Sequence, residues 1–106
     1  MSSTLRADLR AKHAAIEELC RRYGVASLDL FGSGTTGAWR ELDSDLDFVV
    51  TFRDGPTTGL ADRYLGLAED LEQLFGRRVD LITADSIRNP YFRLSVEASR
   101  RRIYAE

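Results

Sequence analysis

The chain is poor in cysteine, in lysine and in long apolar runs. Cys20 is the single cysteine among 106 residues, so no disulfide can form within the chain, and nothing indicates an oxidising compartment. No apolar run approaches the roughly 18 residues of a membrane span, and the N-terminus lacks the apolar core of a signal peptide. We therefore expect a cytoplasmic protein that does not contact a membrane.

Charge of either sign is also not in large excess. Fifteen basic residues oppose seventeen acidic ones, which gives a net charge of −2. This balance argues against a protein that binds nucleic acid directly through long-range attraction. The length fits one domain over residues 1–106, and such a small domain leaves little room for a separate substrate-binding module.

Hydrophobic spacing predicts helices that alternate with strands. Apolar residues three or four positions apart indicate helices, and short apolar or alternating runs indicate strands. The predicted elements are helix 5–23, strands 25–32 and 45–52, helix 60–74, strand 77–83 and a final helix that begins at Asn89-Pro90 and has Arg100 to Arg102 near its end. This order predicts a small α/β (α+β) domain, with helices packed on a mixed three-stranded sheet.

Aspartates are concentrated at the start of the second predicted strand. Side chains alternate across a strand, so Asp45 and Asp47 project from one face while their apolar neighbours project from the other. Neighbouring carboxylates repel each other unless a cation lies between them, and Mg²⁺ prefers one or two carboxylates together with phosphate oxygens. Asp80 could join this site if its strand is adjacent, and three carboxylates could then hold two ions.

A glycine-rich turn precedes the aspartates. Gly32-Ser33-Gly34 can offer backbone N–H groups and a hydroxyl to phosphates. Taken separately, such a turn is more often structural, and the segment Asp43-Ser44-Asp45 is more often a solvated loop or a helix cap. Their joint spacing favours a nucleotide site for phosphoryl-type transfer.

These residues resemble the minimal nucleotidyltransferases of the DNA-polymerase-β-type superfamily. The signature of that superfamily is Gly-Ser, a variable stretch, and then Asp-x-Asp at the head of a strand, as in Gly32-Ser33 and Asp45-Leu46-Asp47. Asp80 matches the third acidic residue, and segment 89–106 resembles the C-terminal helix of the group. Within the superfamily, the chain is most similar to the stand-alone antitoxin half of HEPN/MNT toxin–antitoxin pairs.

The resemblance implies a protein adenylyltransferase with a polymerase-β-like fold. It implies that AMP is transferred from ATP, with Mg²⁺, to a hydroxyl of a partner HEPN toxin, expected to be a tyrosine, and that the two proteins can form a hetero-oligomer. By the same resemblance, the Gly32 backbone and Ser33 would bind the β and γ phosphates. Asp45 and Asp47 would bind Mg²⁺, while Asp80 would share the catalytic ion and help to activate the acceptor hydroxyl.

The turn departs from the pattern of many relatives, which carry arginines where this chain has Gly34, Thr35 and Thr36. This departure keeps open an antitoxin that neutralises its partner by binding alone. A third possibility is an antibiotic-modifying nucleotidyltransferase, although such enzymes resemble this core with an added helical domain.

Several other residues are conspicuous in the sequence, but we assign them no catalytic role. His13 is interpreted as an exposed helix residue and Cys20 as a small buried hydrophobe. Asp29 either faces the site or pairs with an arginine, and Trp39 is a packing anchor, an interface residue or a base-stacking surface. The run from Arg100 to Arg102 is interpreted as a solvated helix end.

Overall fold

The computed structural model describes residues 3–32, 35, 45–53 and 59–106. In chain order its elements are helices α1 (Ser3–Ala11) and α2 (His13–Arg22), strands β1 (Val25–Phe31) and β2 (Leu46–Phe52), helix α3 (Leu60–Phe75), strand β3 (Val79–Thr83), a 3₁₀ turn (Ala84–Ser86), helix α4 (Pro90–Ser99) and strand β4 (Arg101–Ala105). This succession confirms the predicted α+β fold class. None of the helices in these ranges is long and apolar enough to cross a membrane.

The strands form one mixed sheet in the order β3-β2-β1-β4. Strand β1 is antiparallel to both β2 and β4, whereas β2 and β3 are parallel. Because of these directions, the end of β1 and the beginnings of β2 and β3 lie at the same end of the sheet. The candidate site residues Gly32, Asp45, Asp47 and Asp80 lie within these three strand ends or directly next to them.

Each face of the sheet packs on its own core. The larger core joins α1, α2 and α3 to one face and includes Leu5, Ile16, Leu28, Leu30, Phe48, Leu67 and Leu71. The smaller core joins α4 and the 3₁₀ segment to the other face and includes Phe31, Val49, Ile87 and Val96. Alternation along β2 sends Leu46, Phe48 and Val50 into the larger core, which leaves Asp47 on the face that α4 covers.

The helix boundaries predicted from glycine and asparagine are confirmed. Helix α3 ends at Gly76, whose positive φ of 65° is the left-handed conformation that glycine favours. Helix α4 begins at Pro90, and the Asn89 side chain accepts hydrogen bonds from the backbone N–H groups of Tyr91 and Phe92.

The single helix predicted over residues 5–23 is wrong, because the structure has two. Helices α1 and α2 meet at Lys12, whose φ of −99° and ψ of 5° lie outside the helical range. No residue from 10 to 15 is buried, so packing does not hold a straight helix across the junction. The Lys12 ammonium pairs with Asp8 and lies 5.7 Å from the ring centroid of Phe75.

The predicted three-stranded sheet is also wrong, because β4 adds a fourth strand. Arg100 has extended backbone angles, so the chain leaves α4 there, and Arg101 and Arg102 belong to a strand and not to a helix end. Strand β4 pairs with β1, which would otherwise be the edge strand. Of the two alternatives for Asp29, the structure supports pairing with arginine, because Arg100 and Arg102 both pair with its carboxylate. These arginines follow α4 or lie in β4, and not in a helix as expected.

The interpretation of Cys20 as a small buried hydrophobe is confirmed. Its side chain is fully buried in the larger core, and burial raises the pKa of its thiol to about 12. A buried thiol that stays protonated is poorly suited to act as a nucleophile, which agrees with a packing role for Cys20.

Candidate functional site

The candidate site lies at the end of the sheet where β1 finishes and where β2 and β3 begin. Gly32 directly follows β1, Asp45 directly precedes β2, and Asp47 and Asp80 occupy the second positions of β2 and β3. Three separate segments therefore bring polar groups to one place, because the parallel pairing of β2 with β3 aligns their beginnings.

Asp47 is the central residue of this arrangement. It is the register partner of Asp80 on β3 and of Phe31 on β1. Directly paired residues on neighbouring strands present their side chains on the same face, so the carboxylates of Asp47 and Asp80 are neighbours. Asp80 is exposed and Asp47 is half-buried, which places the pair at the solvent boundary of the smaller core.

Among the described residues, no positive charge compensates the carboxylate of Asp47. Burial, reinforced by repulsion first from Asp80 and then from Asp45, raises the pKa of Asp47 from 3.8 to about 6. Within the described ranges no cation pairs with this carboxylate and no donor is hydrogen-bonded to it. A cation bound at this place would remove the repulsion and lower the pKa again.

Gly32 is packed tightly against this carboxylate. Its φ is +72°, and a Cβ atom at this position would lie 2.7 Å from Oδ2 of Asp47. Both features require glycine, because an L side chain would be strained at this φ and would also clash with the carboxylate. Sequence reasoning placed Gly32 beside the acids from its motif, and the structure brings Gly32 and Asp47 together.

The Gly32 backbone is held by a residue that sequence reasoning missed. The N–H of Gly32 donates a hydrogen bond to Oγ of Ser99 at 2.9 Å, and the Ser99 hydroxyl in turn lies 3.2 Å from the carbonyl oxygen of Ser95. Ser99 belongs to the last turn of α4, so this contact joins the C-terminal helix to the glycine turn. No sequence motif marks such a contact between residues so far apart in the chain.

The acids suit a magnesium ion that takes part of its coordination from a substrate. Across residues 3–32, 45–53 and 59–106, no group of three acidic, histidine or cysteine side chains is arranged to hold a metal ion by itself. The uncompensated carboxylate of Asp47 beside Asp80 and Asp45 is nevertheless a site for positive charge. Mg²⁺ typically uses one or two carboxylates and completes its shell with water and phosphate oxygens, so this donor set fits it.

Some predicted site residues lie outside the described residues. They are Ser33, Gly34, Trp39 and Asp43. The phosphate-binding role assigned to Ser33 therefore stays a prediction.

Comparison with known proteins identifies the family to which this arrangement belongs. A family profile described as a nucleotidyltransferase domain matches residues 13–103. The chain belongs to the nucleotidyltransferase domain family. The matched range includes Gly32, Asp45, Asp47 and Asp80, so the candidate site of this nucleotidyltransferase lies within the family's own domain.

Two relatives of this nucleotidyltransferase carry names that specify a protein acceptor. A protein of Methanocaldococcus jannaschii, provisionally named a protein adenylyltransferase, is 41% identical over 90 residues, which are 85% of this chain and 86% of the relative. Protein adenylyltransferase MntA of Thermococcus cleftensis is 38% identical over 73 residues, which are 69% of this chain and 70% of the relative.

Solved structures agree on the fold. A structure provisionally described as a minimal nucleotidyltransferase has a TM-score of 0.72 at 35% identity, and the match covers 92% of this chain and 93% of the other. A chain from the complex of a tri-AMPylated Shewanella oneidensis HEPN toxin with its MNT antitoxin has a TM-score of 0.62 at 20% identity, covering 92% and 73% of the two chains. The polymerase-β-like fold predicted from the motif is thereby confirmed.

Proposed function

We propose that this nucleotidyltransferase is a protein adenylyltransferase and the antitoxin of a HEPN-type toxin. In this proposal it transfers AMP from ATP, with Mg²⁺, to a hydroxyl of the toxin, which we expect to be a tyrosine hydroxyl. The observation that carries the proposal is the Asp47 carboxylate, which lies against Gly32 and opposite Asp80 and has no cationic partner among the described residues of a chain of this family. The names of the two relatives support a protein acceptor.

The proposed reaction is an in-line displacement at the α-phosphorus of ATP. The acceptor oxygen forms a bond to this phosphorus, the bond to the bridging oxygen of the β-phosphate breaks, and pyrophosphate leaves. Asp45 and Asp47 would hold Mg²⁺, which supplies neutralising charge to the phosphate oxygens. Asp80, which is exposed beside Asp47, would receive the proton of the acceptor hydroxyl. Ser33 and the Gly32 turn would orient the triphosphate.

The exposure of Asp80, as seen in the described residues, supports an acceptor that arrives on another protein. Asp80 is exposed, and the sheet and helices of residues 3–32, 45–53 and 59–106 form one layered unit without a second module for a small-molecule acceptor. A partner protein can bring its own hydroxyl to such a site. This arrangement favours the toxin over an antibiotic, and a cytoplasmic location would supply the ATP that the reaction consumes.

The test uses two differently labelled nucleotides. The purified chain is incubated with its co-encoded partner and ATP labelled either at the α-phosphate or at the γ-phosphate. The proposal predicts that only the α label becomes attached to the partner, and that removing Mg²⁺ with a chelator stops the attachment. Attachment of the γ label would show a kinase and would contradict the proposal.

The same experiment separates the enzyme from an antitoxin that acts by binding alone. Asp47→Asn should abolish labelling, whereas Asp85→Asn is the matched control, because Asp85 is exposed on the 3₁₀ segment at the opposite end of β3. A partner that is neutralised equally well by wild type and by Asp47→Asn, without any label, would establish the binding-only function and overturn the enzymatic one.

A further inference from the structure

A second polar surface of the molecule lies away from the acids, between α1 and β4. It is a groove of about 670 Å³, lined by Arg6, Leu9, Arg10, His13, Arg101, Arg102 and Ile103. Four guanidinium groups and an imidazole meet there, and none of these lining residues is acidic. This arginine groove is a concentration of positive charge in a chain whose net charge is −2.

Most of this positive charge is not neutralised by an ion pair with any described residue. Two lining residues have partners: His13 lies 2.6 Å from Glu17, and Arg102 pairs with the buried Asp29 at 3.0 Å. In the part of the chain that the structure describes, Arg6, Arg10 and Arg101 form no ion pair. All three are exposed, so they are available to an anionic ligand.

We propose that the arginine groove binds an acidic, partly aliphatic segment of the partner protein. Guanidinium groups bind carboxylates through two parallel hydrogen bonds, which accounts for the anionic side chains of the ligand. Leu9 and Ile103 are only partly exposed and lie among the arginines, so they give aliphatic side chains of the same segment an apolar surface.

The composition of the groove favours a peptide over a nucleic acid. Single-stranded nucleic acids are usually held by aromatic side chains on which the bases stack. None of the residues that line the groove is Phe, Tyr or Trp, whereas aliphatic groups, which stack poorly with bases, are present. The groove therefore offers charge and apolar contact without a large aromatic surface for bases.

The position of β4 supports an extended conformation for the bound segment. Strand β4 is one of the two edge strands of the sheet that the described residues form, and it supplies Arg101, Arg102 and Ile103 to the groove. An edge strand presents unpaired backbone N–H and C=O groups to which an extended segment can add. The groove thus lies where a partner segment could use both side-chain and backbone contacts.

The identity of the partner in this inference rests on the proposed function. The first test is independent of that function, because it requires no partner protein. Fluorescence anisotropy is used to compare a labelled peptide that alternates glutamate with valine, a peptide that alternates lysine with valine, and oligouridylate of the same length. The wild-type chain should bind the acidic peptide with higher affinity than either other probe. Tighter binding of oligouridylate, or no preference for the acidic peptide, would overturn the inference.

Charge-reversal variants locate the binding surface. Arg6→Glu and Arg101→Glu should each weaken binding of the acidic peptide by roughly tenfold or more, because each replaces attraction by repulsion. Arg88→Glu is the matched control, since it changes the net charge equally at an exposed position outside the groove. Equal losses in Arg6→Glu and Arg88→Glu would show a general charge effect and no groove.

A second measurement connects the groove to transfer of AMP to the partner. Arg6→Glu should raise the KM for the partner protein and leave kcat unchanged, because the groove binds the acceptor and does not contact its hydroxyl. A loss confined to kcat would contradict the proposed role. If wild type transfers no AMP at all, the proposed function fails, while the peptide measurement still decides whether the groove binds acidic segments.

Discussion

At the scale of single residues, the site includes one feature that opposes folding. The ionised carboxylate of Asp47 is half-buried beside two other aspartates. A bound cation would make this arrangement favourable, and stability is commonly exchanged for function in this way. Gly32, which lies against this carboxylate, adopts its positive φ without strain because it has no side chain.

Replacing Gly32 by alanine should separate backbone strain from the clash with Asp47. Gly76→Ala is the matched control, because Gly76 has a φ of +65° and a Cβ atom added there would meet no atom within 4 Å. We expect Gly76→Ala to lower the free energy of unfolding by about 1–2 kcal/mol through strain alone. Gly32→Ala should cost more, and urea denaturation measures both.

A double variant checks the origin of this extra cost. In Gly32→Ala/Asp47→Ala, the carboxylate that would meet the new methyl group is absent. The two substitutions should therefore be non-additive, with the double variant more stable than the sum of the single effects predicts. Strict additivity would show that the methyl group does not meet Asp47.

Asp47→Asn should increase stability while it abolishes activity. The pKa of Asp47 is raised in the folded chain from 3.8 to about 6, so the ionised form is disfavoured by folding. Wild type therefore loses stability as the pH rises from about 4 to about 6, and the asparagine variant does not. Above this window the variant should be more stable by about 1–2 kcal/mol, allowing for the partial exposure of Asp47.

The measurement is thermal unfolding of wild type and of Asp47→Asn at a series of pH values from about 4 to neutral pH. Asp85→Asn serves as the control, because Asp85 is exposed. The difference between Asp47→Asn and wild type should shrink as the pH is lowered toward 4. Mg²⁺ should also shrink it near neutral pH, by stabilising wild type alone. A difference that is independent of pH would refute the assignment of the raised pKa to Asp47.

At the scale of secondary-structure elements, α4 and β4 connect the C-terminal part of the chain to the site. Ser99 at the end of α4 accepts a hydrogen bond from the N–H of Gly32, and the next residue, Arg100, pairs with Asp29 of β1. These contacts lie on both sides of the sharp transition from helix to strand. The position of Gly32 therefore depends on the C-terminal segment.

Removing the Ser99 hydroxyl should reduce the rate of AMP transfer while lowering the free energy of unfolding only slightly. Ser99→Ala leaves the Gly32 N–H without its partner, at a cost of about 1 kcal/mol in the free energy of unfolding. Ser86→Ala is the matched control, because the Ser86 hydroxyl donates to the carbonyl oxygen of Thr83 at 2.8 Å, away from the site. Only Ser99→Ala should reduce the rate of AMP transfer several-fold; equal rates in both variants would exclude a positioning role.

The ion pairs of Asp29 should contribute more to stability than surface pairs do. Asp29 is 1% exposed and joins β1 to β4 through Arg102. Asp29→Asn should lower the free energy of unfolding by about 2–3 kcal/mol, because the carboxylate is buried. The cost is at the lower end for a buried pair because the Arg102 side chain is partly exposed to water. Glu106→Gln removes a pair with Arg53 in which both side chains are 47% exposed, and it should cost less than about 1 kcal/mol. Equal effects in chemical denaturation would contradict this ranking.

The elements that the sequence predicted correctly are those with a strong local signal. Helix α3 has regular apolar spacing and is followed by a glycine, and polar and apolar residues alternate at the start of β2 before the strand becomes fully apolar. Strand β4 has no such signal, because two arginines open it and its strand character comes from pairing with β1. The interruption at Lys12 likewise has no local signal, since neither proline nor glycine marks it.

In the site, too, some features have a local sequence signal and others depend on contacts between distant segments. The motif indicated Gly32, Asp45 and Asp47, and strand order explains why Asp80 lies opposite Asp47. The raised pKa of Asp47 and the hydrogen bond from Gly32 to Ser99 depend on burial and on contacts distant in sequence. Residue spacing alone does not contain that information.

At the scale of the whole molecule, the layered fold separates two surfaces. The acids lie on the face that α4 covers, at one end of the sheet, while the arginine groove lies along the β4 edge beside α1. One surface would perform the chemistry, and the other would hold the protein that carries the acceptor. In this proposal, the groove binds the protein that carries the acceptor while the acids act on its hydroxyl.

The most direct test of this account is the intact mass of the co-encoded partner after incubation with the chain and Mg-ATP. We predict that the partner gains one or more whole adenylate units with wild type and with Asp85→Asn, and gains none with Asp47→Asn. An unchanged mass with wild type, or an equal gain with Asp47→Asn, would contradict the claim that these acids transfer AMP to a protein.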